Sequence, residues 1–408
     1  MLTIIVIICF LLFILLVIQA ILWQRPKIHY RHRTLWVPLK DEFEHCFDTK
    51  EISISNSEEK KYPATIRSRN NQTCVAIHSL RSPQFNGHIT VNVDEELYDI
   101  YVDSWDAKDH SYPIKELFLS YKHPEISDIA DKYNIKITYN QTKDIWLRDE
   151  FFIGYVNEDP FILNGPRDRE LDQWIATLSN KRGNLQMFDI DTQIVRSLDY
   201  FGNLLATGPK SYISGMDQNN NPMCQEIIEF IKAQGDDVKL TYIYTSWLAV
   251  GHIDELITIV DGKIIANSPS LALEELNIIN AINPKALIHV HKDKIPVKKL
   301  LNKYAKYNEQ LDETIFQEMY KILKPDYFVP GLYKENDEGF AISLTYNMVN
   351  IIVDPRFLII PLPQGPDLSW GSAIWKELFP EKDVIEIDTS VYHNLLGGIH
   401  CGSNELRW

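Results

Sequence analysis

Hydrophobic and polar positions divide the chain into three kinds of stretch. In residues 2–23 Gln19 is the only strongly polar side chain, and the run is long enough to cross about 30 Å of hydrocarbon as a helix. No charge precedes the run and it exceeds a signal-peptide core, so an uncleaved single-pass anchor is expected. Trp23 falls at the interface, and Arg25, Lys27, Arg31 and Arg33 follow it, which places the bulk of the protein in the cytoplasm. The glycosylation-type tripeptides at 71–73 and 140–142 suit the opposite orientation, but such tripeptides are common by chance. Residues 24–45 read as a basic linker, and 46–110 as short β-type runs (51–55, 74–78, 88–93, 98–102) separated by polar clusters.

From residue 111 onward the period changes. Helical spacing marks 126–132, 223–233 and 311–323, and 135–139 reads as a strand. Residues 256–260 and 263–266 flank Asp261-Gly262, the pattern of a two-residue hairpin, and 348–353 with 357–361 repeat the idea around Asp354-Pro355. Hairpins interleaved with helices predict an α/β catalytic domain over 111–408, preceded by a small β-rich segment or edge extension.

Composition narrows the chemistry. A formal net charge of −15 argues against nucleic acid as a partner and suits a cationic one. The cysteines at 46, 74, 224 and 401, with Cys9 in the apolar run, are scattered and lack metal-type spacing, so neither a disulfide scaffold nor a zinc site is expected.

Candidate chemistry gathers around Cys401, which follows Gly397-Gly398 and precedes Gly402; three glycines beside one thiol predict close backbone approach to a ligand. His252 and Asp254, two apart in an apolar setting, are expected on one side of an extended segment. Trp146-Leu147-Arg148-Asp149-Glu150 adds an aromatic plane and two carboxylates leading into an apolar strand, with Arg148 a candidate partner for them. A thiol, an imidazole, two carboxylates and a tryptophan suit attack on a flat cation. His400 is expected to point away from the thiol, as alternate residues of an extended stretch do.

Five ordered segments over about 112–408 resemble the catalytic domain of the protein-arginine deiminases, within the guanidino-group-modifying (pentein) superfamily. They are the Trp146 motif, 197–204, 247–255, 346–350 and 399–404. The resemblance implies a five-bladed propeller of ββαβ units and hydrolytic conversion of arginine residues in proteins or peptides to citrulline and ammonia. On it, Asp149 and Asp254 grip the guanidinium, Cys401 is the nucleophile and His252 the acid and base. Trp146 and Val250 wall the alkyl stem, and Arg169, with Arg167 beside it, meets the peptide backbone.

The pattern departs from the family at calcium. Animal members hold the metal through a glutamine before the catalytic Asp, a Glu three residues after it and a Glu after the Phe-Gly-Asn-Leu run. Arg148, Phe152 and Leu205 stand there in this chain. Calcium takes several oxygen ligands, so no cofactor is expected to be required and the Arg148 guanidinium is expected to stand in for the ion. Glu150, Asn164 and Asp168 keep oxygens for a possible residual calcium site. Two other functions fit the motifs: deimination of a small guanidine such as agmatine, and an inactive arginine-binding module.

Overall fold

The computed structural model describes separate strands between Thr34 and Val102 and most of residues 105–408, leaving out 157, 166–170, 183–185, 190–195, 233, 236, 291–292 and 363–370. The expected anchor at 2–23 lies outside the described residues. Among the described residues no helix is long and apolar enough to cross a membrane.

Two compact units are distinguished, residues 1–104 with 233–236, and the remainder. In the first, Thr34–Val37, Ile52–Ile54, His88–Val93 and Glu96–Val102 form one sheet. Phe43–Phe47, Ala64–Arg69 and Gln72–Ile77 form another. In the second sheet Cys46 lies directly across from Cys74 and the two are joined as a disulfide. This corrects the sequence expectation: a separation of 28 residues carries no signal, and only strand register brings the two sulfurs together.

The second unit begins at Trp105. Asp106–Ala107 pairs with Phe151–Val156, and the fully buried Trp105 ring lies against Phe152, Tyr212 and Phe230. Four small sheets repeat one plan, an antiparallel hairpin followed after a helical crossover by a parallel third strand. The hairpins are Phe151–Val156 with Asp159–Asn164, Leu204–Gly208 with Ser211–Met216, Ile257–Val260 with Lys263–Ser268, and Ile352–Val353 with Phe357–Pro361. Their parallel partners are Gln186–Asp189, Lys239–Tyr244, Tyr327–Pro330 and Asp383–Ile387. The fifth sheet joins the two ends of the unit: Ile114–Leu119 pairs in parallel with Lys136–Tyr139 and antiparallel with the C-terminal Ser403–Arg407.

Local sequence explains the hairpin at 261–262. Asp261 and Gly262 both take positive φ, 51° and 72°, which matches a right-twisted hairpin and which Asp and Gly tolerate best. Every residue of Ile257–Val260 is buried, so these strands read as continuous apolar runs instead of alternating ones. The helical period at 311–323 resolves into the end of helix Val297–Leu311, a π-turn at Asp312–Phe316 and helix Gln317–Leu323. The fifth sheet matters most for chemistry, because it holds the segment after residue 401 beside the segment that leads to Trp146.

Candidate active site

Helix Ser390–His393 ends in a tight turn in which Gly397 N–H donates to Tyr392 O at 3.1 Å. The three glycines that follow are set by crowding. A Cβ on Gly397 would come within 2.6 Å of the Trp146 ring, on Gly398 within 2.4 Å of Asn350 Oδ1, and on Gly402 within 2.1 Å of the Tyr392 ring. Residues 399–402 turn instead of extending, and Cys401 is 3% exposed at the base of the loop. Its carbonyl accepts from Arg148 N–H at 3.0 Å, which fastens the thiol segment to the short helix Leu147–Glu150.

His252 and Asp254 do not share a strand face. His252 precedes a single turn of 3₁₀ helix, Ile253–Glu255, and that turn aims the imidazole and the carboxylate into one place. A His252 ring nitrogen, an Asp254 oxygen and Cys401 Sγ lie within 4.8 Å of one another. His252 Nε2–H donates to Ser197 O at 2.9 Å, leaving Nδ1 to face Asp149 Oδ1 at 3.5 Å. Cys401 Sγ lies 3.5 Å from Asp254 Oδ2 and receives the Asn350 side-chain N–H at 3.1 Å. Trp146, Asp149, Tyr200, Val250, Leu396 and Cys401 line part of an open cavity of about 240 Å³.

The electrostatics are one-sided. No lysine or arginine is among the described residues lining this cavity, whereas Asp149 and Glu255 are. Burial raises the Glu255 pKa well above the usual range, and the neighbouring Asp254 and Asp149 charges add to it. Burial also pushes the Cys401 thiol well up, reinforced by Asp254, Glu255 and Asp149. Burial works against the Asp254 carboxylate too, yet the hydrogen bond and charge of His400, with His252 and Arg148, leave it below the ordinary carboxylate range. Its second oxygen, Oδ1, is buried with no hydrogen-bond partner among the described residues. An acceptor in that state is completed by a donor that bears positive charge.

Cys401, His252, Asp254, Asp149, Trp146 and Val250 thus converge. Arg167, Asp168 and Arg169 lie outside the described residues. Two expectations are corrected. His400 does not point away from the site; the turn brings its Nδ1–H to Asp254 Oδ2 at 2.7 Å. Arg148 does not pair with its neighbours in sequence; its guanidinium reaches the Glu405 carboxylate. Asn350 and Glu405 went unassigned: Asn350 sat inside a motif read only for resemblance, and Glu405 bears no local signal at all. Around Arg148 a chamber of about 20 Å³ is lined by Phe152, Leu204 and Leu205 beside Asp109, Asn404 and Glu405, and the Glu405 carboxylate is already taken by the Arg148 guanidinium. With Arg148, Arg407 and Lys108 in the same lining, the chamber does not fit a divalent cation. Glu150 and Asn164 are both buried and close in the ladder, Asn164 being paired with Phe151.

A family profile for protein-arginine deiminase matches residues 89–408. The chain belongs to the protein-arginine deiminase family. It is 24% identical over 340 residues to mouse protein-arginine deiminase type-1, covering 69% of this chain and 50% of that protein. Human protein-arginine deiminase type-4 matches at 24% over 333 residues with the same shares. The chain therefore spans about half the length of the curated deiminases it matches. Among solved structures, a candidate arginine deiminase from Porphyromonas gingivalis aligns with a TM-score of 0.50 at 14% identity, over 74% of this chain and 98% of that one. A candidate agmatine deiminase aligns with a TM-score of 0.50 at 10% identity, over 74% and 96%. These likenesses show the mixed α/β fold of the superfamily.

Proposed function

We propose that this protein hydrolyses the guanidinium of arginine residues in proteins or peptides to the ureido group of citrulline. The observation that carries the reading is a buried thiol bordered by three buried acidic side chains, in a cavity lined by no described cation. Such a site is strained when empty, because like charges at close range raise one another's pKa. A guanidinium relieves that strain, and its planar fork of N–H donors suits two carboxylates.

Asp149 and Asp254 would each accept from one edge of the guanidinium, holding its carbon over Cys401 Sγ. The positive charge lowers the cost of forming the thiolate as Cys401 S–H gives its proton to His252 Nδ1, so substrate entry and nucleophile activation are coupled. Sulfur attacks the guanidinium carbon, and the C–N bond breaks as His252 Nδ1–H gives its proton to the departing ammonia. Water then attacks the S-alkylthiouronium carbon, His252 takes a proton from it, and the C–S bond breaks to return the thiol and release citrulline. Trp146 and Val250 border the stem, and Arg169 and Arg167 would bind the peptide backbone. The five sheets support the reading of a five-bladed propeller with the site in its central channel.

The full chain is incubated with an arginine-containing peptide and, separately, with agmatine, and ureido product is measured. Peptidyl citrulline that disappears in Cys401→Ser is expected. Product from agmatine alone would move the assignment to a small guanidine. Absence of product from both, with both substrates still bound, would leave an arginine-binding module.

A further inference from the structure

The chamber behind the nucleophile holds an arrangement that the deimination chemistry does not use. The Arg148 guanidinium and the Glu405 carboxylate are paired with both side chains no more than 7% exposed. Arg407 completes the group, its Nη2 lying 3.9 Å from the same Glu405 oxygen while donating to Val353 O at 2.9 Å. Burial alone would raise the Glu405 pKa, but the charges of Arg148 and then Arg407 hold it far below the carboxylate range. A buried carboxylate requires such compensation, and here it comes chiefly from the two arginines, with His400 and His110 adding less.

The position of the pair is what gives it a consequence. Arg148 immediately precedes Asp149, and Glu405 lies four residues after Cys401. The pair therefore spans the helix that carries one guanidinium-binding carboxylate and the strand that follows the nucleophile. The Arg148 backbone N–H makes the second link across the same gap, to Cys401 O at 3.0 Å. A divalent ion in this place would have to displace the Arg148 guanidinium from Glu405 and lie among Arg407 and Lys108, whereas the guanidinium is a cation tethered to the backbone.

We propose that the Arg148 guanidinium, paired with Glu405, is a built-in cation that assembles the active site, so that Cys401 and Asp149 are brought into register with no divalent metal at that position. Arg148 and Glu405 are positioning residues, since neither lines the cavity that would receive substrate. The inference rests on the catalytic role assigned to Cys401, and its test is chosen to stand apart from turnover.

The test measures labelling of Cys401 in the full chain by a haloacetamidine, a guanidinium mimic that alkylates a thiol held beside the carboxylates, with mass spectrometry to confirm the site. Labelling is timed in excess chelator and in millimolar calcium, beside the thermal midpoint in each. Wild-type rates within about twofold of each other are expected. A tenfold or larger gain on adding calcium would overturn the proposal. Arg148→Met/Glu405→Leu removes both charges while filling the space with apolar groups, a replacement that commonly preserves stability. It is expected to melt near the wild type but label at least tenfold more slowly, and labelling at the wild-type rate would refute the assignment. If that variant does not fold, Arg148→Lys decides: it keeps the charge, and should retain more of the rate than Arg148→Gln. Equal rates in those two would also overturn the proposal. Normal labelling without any ureido product would sink the deiminase reading and leave this one standing.

Discussion

Asn350→Asp tests how the thiol is made reactive. The Asn350 side chain is a two-sided clamp. Its Oδ1 accepts from His400 N–H at 2.9 Å and Cys401 N–H at 3.3 Å, and its Nδ2 donates to Asp254 O at 3.2 Å and Cys401 Sγ at 3.1 Å. The aspartate keeps an acceptor for the two loop amides and loses both donors. A hydrogen bond to a charged group contributes about 1.5–3 kcal/mol, so losing the one to the thiolate should lower its population about 10- to 150-fold at a fixed pH. The new carboxylate beside the sulfur adds to a thiol pKa that burial and three carboxyl groups already raise, so this range is a lower bound. The assay is the rate of iodoacetamide alkylation against pH, read by peptide mass because Cys224 is also a free thiol. Loss of only a neutral bond would slow labelling severalfold at most. Labelling of a folded Asn350→Asp protein at the wild-type rate across the profile would show that Asn350 is a scaffold for the loop and nothing more.

His400→Gln should slow turnover by at least tenfold with little loss of thermal stability, because the amide cannot reproduce the Nδ1–H bond that orients Asp254 Oδ2; an unchanged kcat/KM would remove His400 from the site. His110 is buried with Nδ1–H donating to Ile259 O at 2.7 Å, and burial first, then the Arg407 charge, lowers its pKa to about 3. A lowered histidine pKa gives stability that is complete above about 6.5 and is lost as pH falls toward 3, so chemical denaturation should weaken by a few kcal/mol between pH 7 and 4. His110→Gln should flatten that slope, and an identical slope would discount the group. Gly154→Ala puts a Cβ 2.0 Å from the Trp105 ring and should cost about 1–3 kcal/mol in unfolding free energy. Peptide mapping without reductant should recover Cys46 linked to Cys74. Disulfides persist in oxidising compartments, so that result would stand against the cytoplasmic placement drawn from the arginines at 25–33.

Much of the fold is local in origin and so was legible in the chain. Asp261-Gly262 between two β-branched runs can hardly be other than a hairpin, and Pro124–Tyr133 is a helix with Pro at its start and Asn134 in the left-handed conformation at its end. Three glycines beside Cys401 announced crowding, and the structure supplies Trp146, Asn350 and Tyr392 as the crowding groups. The chemical types at the site, a thiol, an imidazole and carboxylates in an apolar setting, were likewise readable from residue identity.

What tertiary structure alone decided is which of those groups meet, and on which side. His252-x-Asp254 converges because the chain turns there, whereas a period-of-two reading assumed that it ran straight. His400 was assigned to the far face for the same reason, and a turn of a few residues reversed the assignment. Cys46 and Cys74 meet through strand register, and Arg148 finds Glu405 across 257 residues because the C-terminal strand closes the fifth sheet. Patterning acts through neighbours a few residues apart, and so it fixes the elements. A charge pair between distant segments has no period and no local cost in the unfolded chain, so it exists only once packing has removed water from around both partners.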